Sequence, residues 1–326
     1  MSRPALSATR CIDILDFLAS FPDRDFTLSE IARAAKINVA SAHAVLGILV
    51  ERGYLTRDPK QKTYALGPAP VILGKAAAEQ QTLLARAQAG AEDLHHEIGV
   101  ALALKALIGN EIVTVSAIGA AVGHKGGARP GERLPLVPPL GAPFVAWSSD
   151  AAVEAWIHGS ADGGSGFADH WRRALALVKR RGFQMLLRSP GTSDLPLRMA
   201  QMAAGQNAPE FKDDLIKLIN TTGPSLAAEP DVILPDELYD FHQLAAPIFN
   251  REGAATLELC LGGFPGPLSG TKVQFYADQL MRTCLRIMES DRVQPAADQP
   301  RRELPAAAPK IGHDRRRTVR VKEKAA

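Results

Sequence analysis

FTLSEIARAAKINVASAHAVLGILVERGYLTRDPKQKTYAL, Phe26 to Leu66, decides the fold of this chain. Thr27 with Glu30 three residues on has the spacing of a capping box and predicts a helix start. Leu28, Ile31, Ala32 and Ala35 then fall on one helical face. Ile37-Asn38 breaks the run, and Asn38 is a good cap for a second helix. There Ala42, Val45, Leu46 and Leu49 recur at helical spacing, and Gly53 closes the helix. Tyr54 to Arg57 and Thr63 to Leu66 read as short strands joined by the polar turn Asp58 to Lys62. Two short helices, a tight turn and a basic hairpin describe a winged helix-turn-helix.

That shape suits duplex DNA, because one helix fills the major groove while the other props it there. With Ala42, Val45, Leu46 and Leu49 inward, Ala40, Ser41, His43, Ala44 and Gly47 face outward. That face is small and polar and permits close approach to base edges. Ser41 and His43 can hydrogen-bond there, while Thr27, Asn38, Arg52, Lys60 and Lys62 are better placed for phosphates. The blander reading is an ordinary helical hairpin in a soluble core. The ordered arrival of cap, turn, second helix and wing argues against it.

Outward from this stretch, Ser7 to Ser20 predicts a preceding helix with Cys11, Ile14, Leu15 and Leu18 inward. At 326 residues the chain suggests two domains. Hydrophobic content of 46% is ample for buried cores, and a net charge of +3 excludes a bulk polycation. Residues 291–326 hold 10 Lys and Arg against 5 Asp and Glu, and read as a disordered basic tail. Three cysteines, far apart and without metal or redox spacing, fit a reducing cytoplasm. The N-terminus has no apolar signal core, and no apolar run is long enough to span a bilayer.

Val71 to Gln81 predicts an Ala-rich helix with a thin stripe of Leu73, Ala76, Ala77 and Gln80. Leu83 to Ile98 predicts a second, with Leu84, Ala87, Ala91, Leu94 and Ile98 inward. Adjacent His95 and His96 point to different faces, which speaks against a metal pair. Val100 to Leu107 and Glu111 to Ile118 read as strands, followed by a glycine-rich loop holding His124, Lys125 and Arg129. Further on come helices at Ala151 to His158 and Phe167 to Arg181, the latter with Trp171, Leu175 and Val178 inward. Strands follow at Phe183 to Leu187, Gln243 to Phe249 and Ala255 to Gly262. A last helix runs Ser269 to Ser290 over Val273, Tyr276, Leu280, Cys284 and Ile287.

Taken together, ATRCIDILDFLA, FTLSEIARAAKI, ASAHAVLGILVERGYLTRD and YALGPAPVILG resemble the IclR family of bacterial transcription regulators. The likeness resumes at ERLPL (Glu132 to Leu136), RRGF (Arg180 to Phe183) and LAAPIFNREGAA (Leu244 to Ala255). The resemblance implies an α+β chain of four parts. A winged helix-turn-helix DNA-binding domain would span residues 1–67 and a linker helix 68–86. A GAF-like effector-binding domain would span 87–290, with the tail at 291–326. It implies a homodimer or tetramer on double-stranded operator DNA, responding to a small organic acid or aromatic effector. It calls for no cofactor, no metal and no membrane partner.

The resemblance also directs effector contacts to a helix start at Leu140, Gly141 and Ala142. It adds Asp236 ahead of the late strand pair and Gln243, which stands where the family carries a cysteine. Cys260 faces either pocket or core. Departures are Val39 and Ala44 where the family is basic, and Pro143 in place of a lysine. Another is the long connection Ser189 to Asp231, with helical patterns at Leu195 to Ala204 and Pro209 to Ile219. The rival reading is an enzyme on a small organic acid, with the helix-turn-helix as a regulatory appendage. No GxSxG elbow and no nucleophile beside a base in a motif supports it.

Overall fold

Helix α1, Leu6–Ala19, buries Ile14, Phe17 and Leu18. Phe17, more than the predicted Cys11, carries the packing, because its ring meets Phe26 at 4.6 Å and Phe21 at 5.5 Å. The computed structural model of the chain describes residues 5–21, 24–80, 82–119, 128–159, 167–188, 217 and 229–293. Both helical patterns expected within 189–231, apart from Lys217, the loop residues His124 and Lys125, and the basic tail after residue 293 lie outside these. Residues 1–292 form one unit.

Helix α2, Leu28–Ala34, opens on Thr27 with both halves of the capping box made. The Thr27 N–H donates to Glu30 Oε2 at 2.8 Å, and the Glu30 N–H donates to Thr27 Oγ1 at 3.4 Å. It ends in a Schellman turn, with Ile37 N–H donating to Ala32 O and Lys36 N–H to Arg33 O. Lys36 takes the left-handed position there, at φ 51°, which glycine usually fills. The chain turns through 108° into α3, Val39–Glu51. Asn38 Oδ1 caps α3 by accepting from Ser41 N–H at 2.7 Å. Gly53, at φ 72°, ends it with the same turn, Tyr54 N–H reaching Leu49 O.

Strands β2, Leu55–Arg57, and β3, Thr63–Leu66, form the wing. A third strand, β1, Phe26–Thr27, pairs with β3 through Phe26 and Tyr64 and ties the wing to the helices. Ile14, Phe17, Phe26, Ile31, Leu46, Leu49, Leu55 and Tyr64 close this core.

Helix α4, Ala69–Gln80, exposes Val71, Ile72 and Leu73. Helix α5, Thr82–Ile98, buries Ala87, Ala91 and Leu94 against a six-stranded antiparallel sheet. In spatial order the strands are β6 (Arg133–Pro135), β5 (Glu111–Ile118), β4 (Ala101–Ile108), β10 (Ala255–Gly262), β9 (Phe241–Phe249) and β7 (Gln184–Leu187). A two-residue ribbon joins β8 (Leu238–Tyr239) to β11 (Leu268–Ser269). The last helix, α9, Gly270–Val293, lies beside α5 on the same sheet face and buries Val273, Ala277, Leu280, Cys284 and Ile287. A Cβ at Gly90 would sit 3.0 Å from Ile287, so the two helices approach closely there.

The opposite face carries α6 (Ala142–Val145), α7 (Asp150–Ile157) and α8 (Phe167–Arg181). Their core joins Phe144, Trp156, Trp171, Leu175 and Val178 to Ile112, Leu134 and Ala255 of the sheet. The alternation of β10 explains the division. Leu257, Leu259 and Leu261 face α5 and α9, while Glu258 and Cys260 face the other way.

Candidate nucleic-acid interface and effector site

The helix-turn-helix leaves one side of α3 uncovered. Ala40, His43, Ala44, Gly47 and Arg52 are exposed, and Ser41 is half-buried. Val39 and Ile48 are exposed too, at 52% and 57%. The outward face is therefore more apolar than the sequence pattern alone suggests. A Cβ on Gly47 would meet nothing within 4 Å, so the middle of this face is open. Small residues, a histidine and methyl groups can reach base edges, where thymine offers a methyl of its own.

Phosphate-facing chemistry comes from the wing. Asp58 Oδ1 accepts from Lys60 N–H at 2.7 Å and Gln61 N–H at 3.0 Å. This Asx turn presents Lys60 and Lys62 as exposed cations at the tip. Beside it lies an open groove lined by Asp25, Thr56, Arg57, Lys60 and Thr63. Arg57 was not singled out in the sequence, although it ends the first wing strand facing out. Two of the expected phosphate contacts have other employment. The Thr27 hydroxyl donates to Glu30 Oε2 at 2.8 Å, and Asn38 Oδ1 caps α3. Both shape the helix termini, whose N–H groups remain suited to phosphate.

In the body, the expected effector residues divide. Leu140, Gly141 and Ala142 are buried in the α6–α8 core. Leu140 O accepts from Trp156 Nε1 at 2.9 Å, and Pro139 O accepts from Gln184 Nε2 at 3.1 Å. The expected helix is only the four residues of α6. Pro143 removes one of the N–H groups that its first turn would otherwise offer an anion. Asp236 is exposed in the turn before β8.

Gln243 and Cys260 do come together, on the sheet face away from α5 and α9, with two residues the sequence reading passed over. Lys105 of β4 and Glu258 of β10 lie directly opposite each other, Nζ to Oε1 at 3.8 Å. They are 8% and 2% exposed, so the pair is desolvated. Lys105 Nζ donates to Gln243 Oε1 at 3.3 Å, and Cys260 Sγ donates to Glu258 Oε1 at 2.8 Å. Among the described residues Glu258 Oε2 has no hydrogen-bond partner. Ala103, Ala245 and Cys260 floor this patch, with Ala128 packed on it.

Burial would strip the proton from Lys105, but the Cys260 sulfur, with the carboxyl groups of Glu258 and Glu132, outweighs it and holds its pKa above the ordinary lysine value. Burial pushes the Glu132 carboxyl up, against the pull of Lys105. Burial also raises the Cys260 thiol, further than the adjacent Lys105 can lower it, and pushes Cys284 up to about 12. These are thiols at neutral pH, not the thiolates nucleophilic chemistry needs. Among the described residues no group of three His, Cys, Asp or Glu is arranged to hold a metal ion. A signal for the pair existed: ALALKALI and ATLELCLG each place one charge at the centre of an apolar strand.

Head and body also touch. Arg133 of β6 bridges Asp16 of α1 (2.8 Å) and Glu111 of β5 (3.1 Å). Gly131, at φ 83°, lets the backbone approach α1, because a Cβ there would stand 2.9 Å from Ala19 O. Glu132, between these two residues, sits near Lys105.

Residues 7–59 match the IclR helix-turn-helix domain. The fold is shared with solved structures over nearly the whole chain. An IclR transcriptional regulator from Alicyclobacillus acidocaldarius has a TM-score of 0.64 at 16% identity, over 89% of this chain and 100% of that one. The Thermotoga maritima IclR has a TM-score of 0.52 at 16% identity, over 88% and 99%. An IclR homologue from Microbacterium hydrocarbonoxydans, complexed with 4-hydroxybenzoate, has a TM-score of 0.56 at 17% identity, over 88% and 100%. No curated protein sequence matches the chain.

Proposed function

We propose that this chain, with an IclR helix-turn-helix domain at its head and the fold of the IclR regulators, is a ligand-responsive transcription regulator. The observation that carries the reading is the head: a capped, three-helix core presenting an open α3 face beside a wing tipped by Lys60 and Lys62. The head would span residues 1–67, the linker 68–86 and the sensor 87–290. The exposed Val71, Ile72 and Leu73 of the linker helix suit a second copy, so the working unit is a homodimer or a higher oligomer. Two heads then read half-sites about one helical turn apart, and a small change in their spacing costs affinity.

The effector site in this reading is the sheet face of Lys105, Gln243, Glu258 and Cys260. The relative with 4-hydroxybenzoate supports a small organic effector. Glu132 beside that face and Arg133 against α1 offer a route of one residue from ligand to head.

Fluorescence anisotropy on the DNA upstream of the gene, against random duplex, tests the proposal. We expect a preference for the upstream sequence, relaxed by His43→Ala. Lys60→Ala with Lys62→Ala should weaken binding to either duplex and reduce the slope of log K against log salt by at most ~1.8, since each neutralised phosphate contributes about 0.9. Equal affinity for the two duplexes, across ionic strengths and with or without a small-molecule cell extract, would refute it.

A further inference from the structure

We infer that the head reads its operator chiefly through thymine methyl groups in the major groove, with Val39, Ala40, Ala44 and Ile48 of α3 as the residues that set specificity. This rests on the regulator reading above and names the base chemistry of the DNA that the head takes.

From Val39 to Val50 the helix carries no Lys, Arg, Asp, Glu, Asn or Gln. Those are the side chains that read guanine, adenine and cytosine edges by hydrogen bonds. Of the two polar residues in this stretch, Ser41 is half-buried, which leaves His43 as its one exposed hydrogen-bonding side chain.

What the face does present is apolar. Ala40, Ala44 and Ile48 recur at every fourth position and form one row, with Val39, His43 and Gly47 as the row beside it. All six are exposed, and Val39 and Ile48 keep 52% and 57% of their surface open. A β-branched residue gives up side-chain freedom in a helix, and on a solvated face nothing offsets that loss. Two of them beside alanine methyls, with open space over Gly47, make a surface suited to meeting other apolar groups.

The charges around the face decide which apolar groups those are. Lys36 stands exposed ahead of α3, Arg52 at its end, and Arg57, Lys60 and Lys62 on the wing. An uncharged strip bordered by cations complements a duplex groove, whose floor carries bases and whose rims carry phosphates. A second copy of the chain would bring like charges to that border. The exposed acid of the helix, Glu51, lies in its last turn at 4.0 Å from Arg52, whereas a recognition helix sets its N-terminal residues on the bases. The apolar group on the floor of the major groove is the 5-methyl of thymine.

The test uses the full-length protein, fluorescence anisotropy and the upstream duplex in three forms. One is natural, one carries deoxyuridine for every thymidine, and one carries 7-deazaguanine for every guanine. Deoxyuridine pairs as thymidine does and lacks only the methyl. Burying one methyl is worth about fourfold in affinity, so with a methyl read in each of two half-sites the deoxyuridine duplex should bind about tenfold or more weakly than the natural one. Random duplex should change less than twofold on the same replacement. Val39→Ser with Ile48→Ser should keep the melting temperature, since serine matches valine and isoleucine in helix propensity and both sites are exposed. That variant should bind natural and deoxyuridine upstream duplexes alike.

Equal wild-type affinity for the natural and deoxyuridine duplexes would overturn the inference. So would an equal loss on random duplex, or a methyl dependence that survives in the double variant. A loss with 7-deazaguanine alone would overturn it as well and pass the reading to His43, whose acceptor on guanine that base removes. In each of these cases a retained preference for natural upstream DNA over random duplex leaves the regulator reading standing. Without that preference the regulator reading falls, and the inference with it.

Discussion

Single residues govern the turn on which the head depends. Lys36 holds a left-handed backbone that costs an ordinary residue roughly 1–2 kcal/mol. Lys36→Gly removes that strain at the expense of a freer unfolded chain. The expected net is a gain of about 0.5–1 kcal/mol in urea unfolding, together with weaker binding to any duplex as the cation is lost. At the other end of α2, the hydrogen bonds from Thr27, with the nearby Arg24, hold Glu30 below its ordinary carboxyl value of 4.5. A lowered folded pKa means the box stabilises above that value and fades as pH falls through the folded one. Glu30→Ala should therefore be less stable than wild type at neutral pH, by about 1 kcal/mol as for lost caps generally. The gap should close in denaturant titrations below pH 4. A gap that stayed constant with pH would remove the carboxylate from the account.

At the scale of an element, α3 is a helix whose outer face has been kept bare. Glycine in a helix interior costs roughly 0.5–1 kcal/mol relative to alanine, and Gly47 gains no packing in return. The cost is understandable if the open face must come close to something. Gly47→Glu should leave the melting temperature unchanged or raise it, yet cut affinity for duplex tenfold or more by setting a carboxylate against phosphates. Unchanged binding would mean that another face of the head meets DNA. The wing shows the same economy: one aspartate, Asp58, folds its tip with two backbone hydrogen bonds and leaves the lysines to project.

At the scale of the molecule, the contact that matters is between α1 and the β5–β6 edge. Arg133 is about one-third exposed, so its two ion pairs add little to global stability. Their value lies in position, since they hold the head against the strand that carries Glu132. Arg133→Ala should raise hydrogen exchange in the last turn of α1 and in residues 128–135, with exchange in α3 and in the β9–β10 hairpin unaltered. Exchange rising across the whole head instead would show Arg133 supporting the helix-turn-helix fold and not its attachment.

The head could be read from sequence because its signals are local: caps, a helical apolar period and a polar turn each act within a few residues. The same holds for α5 and α8, whose periodicity places Ala87 and Trp171 in their cores, and for the strands of the β9–β10 hairpin. Local pattern failed where a residue's partner lies far along the chain. Phe26 looked like the residue before a cap and is also a strand partner of Tyr64. Leu140, Gly141 and Ala142 are buried, and the bond from Trp156 to Leu140 O that helps bury them comes from a later helix. Lys105 and Glu258 are more than 150 residues apart, and each alone is a charge in an apolar strand. Only the antiparallel register sets them face to face and desolvates them together, and burial of that kind is a property of neighbours that no single segment contains.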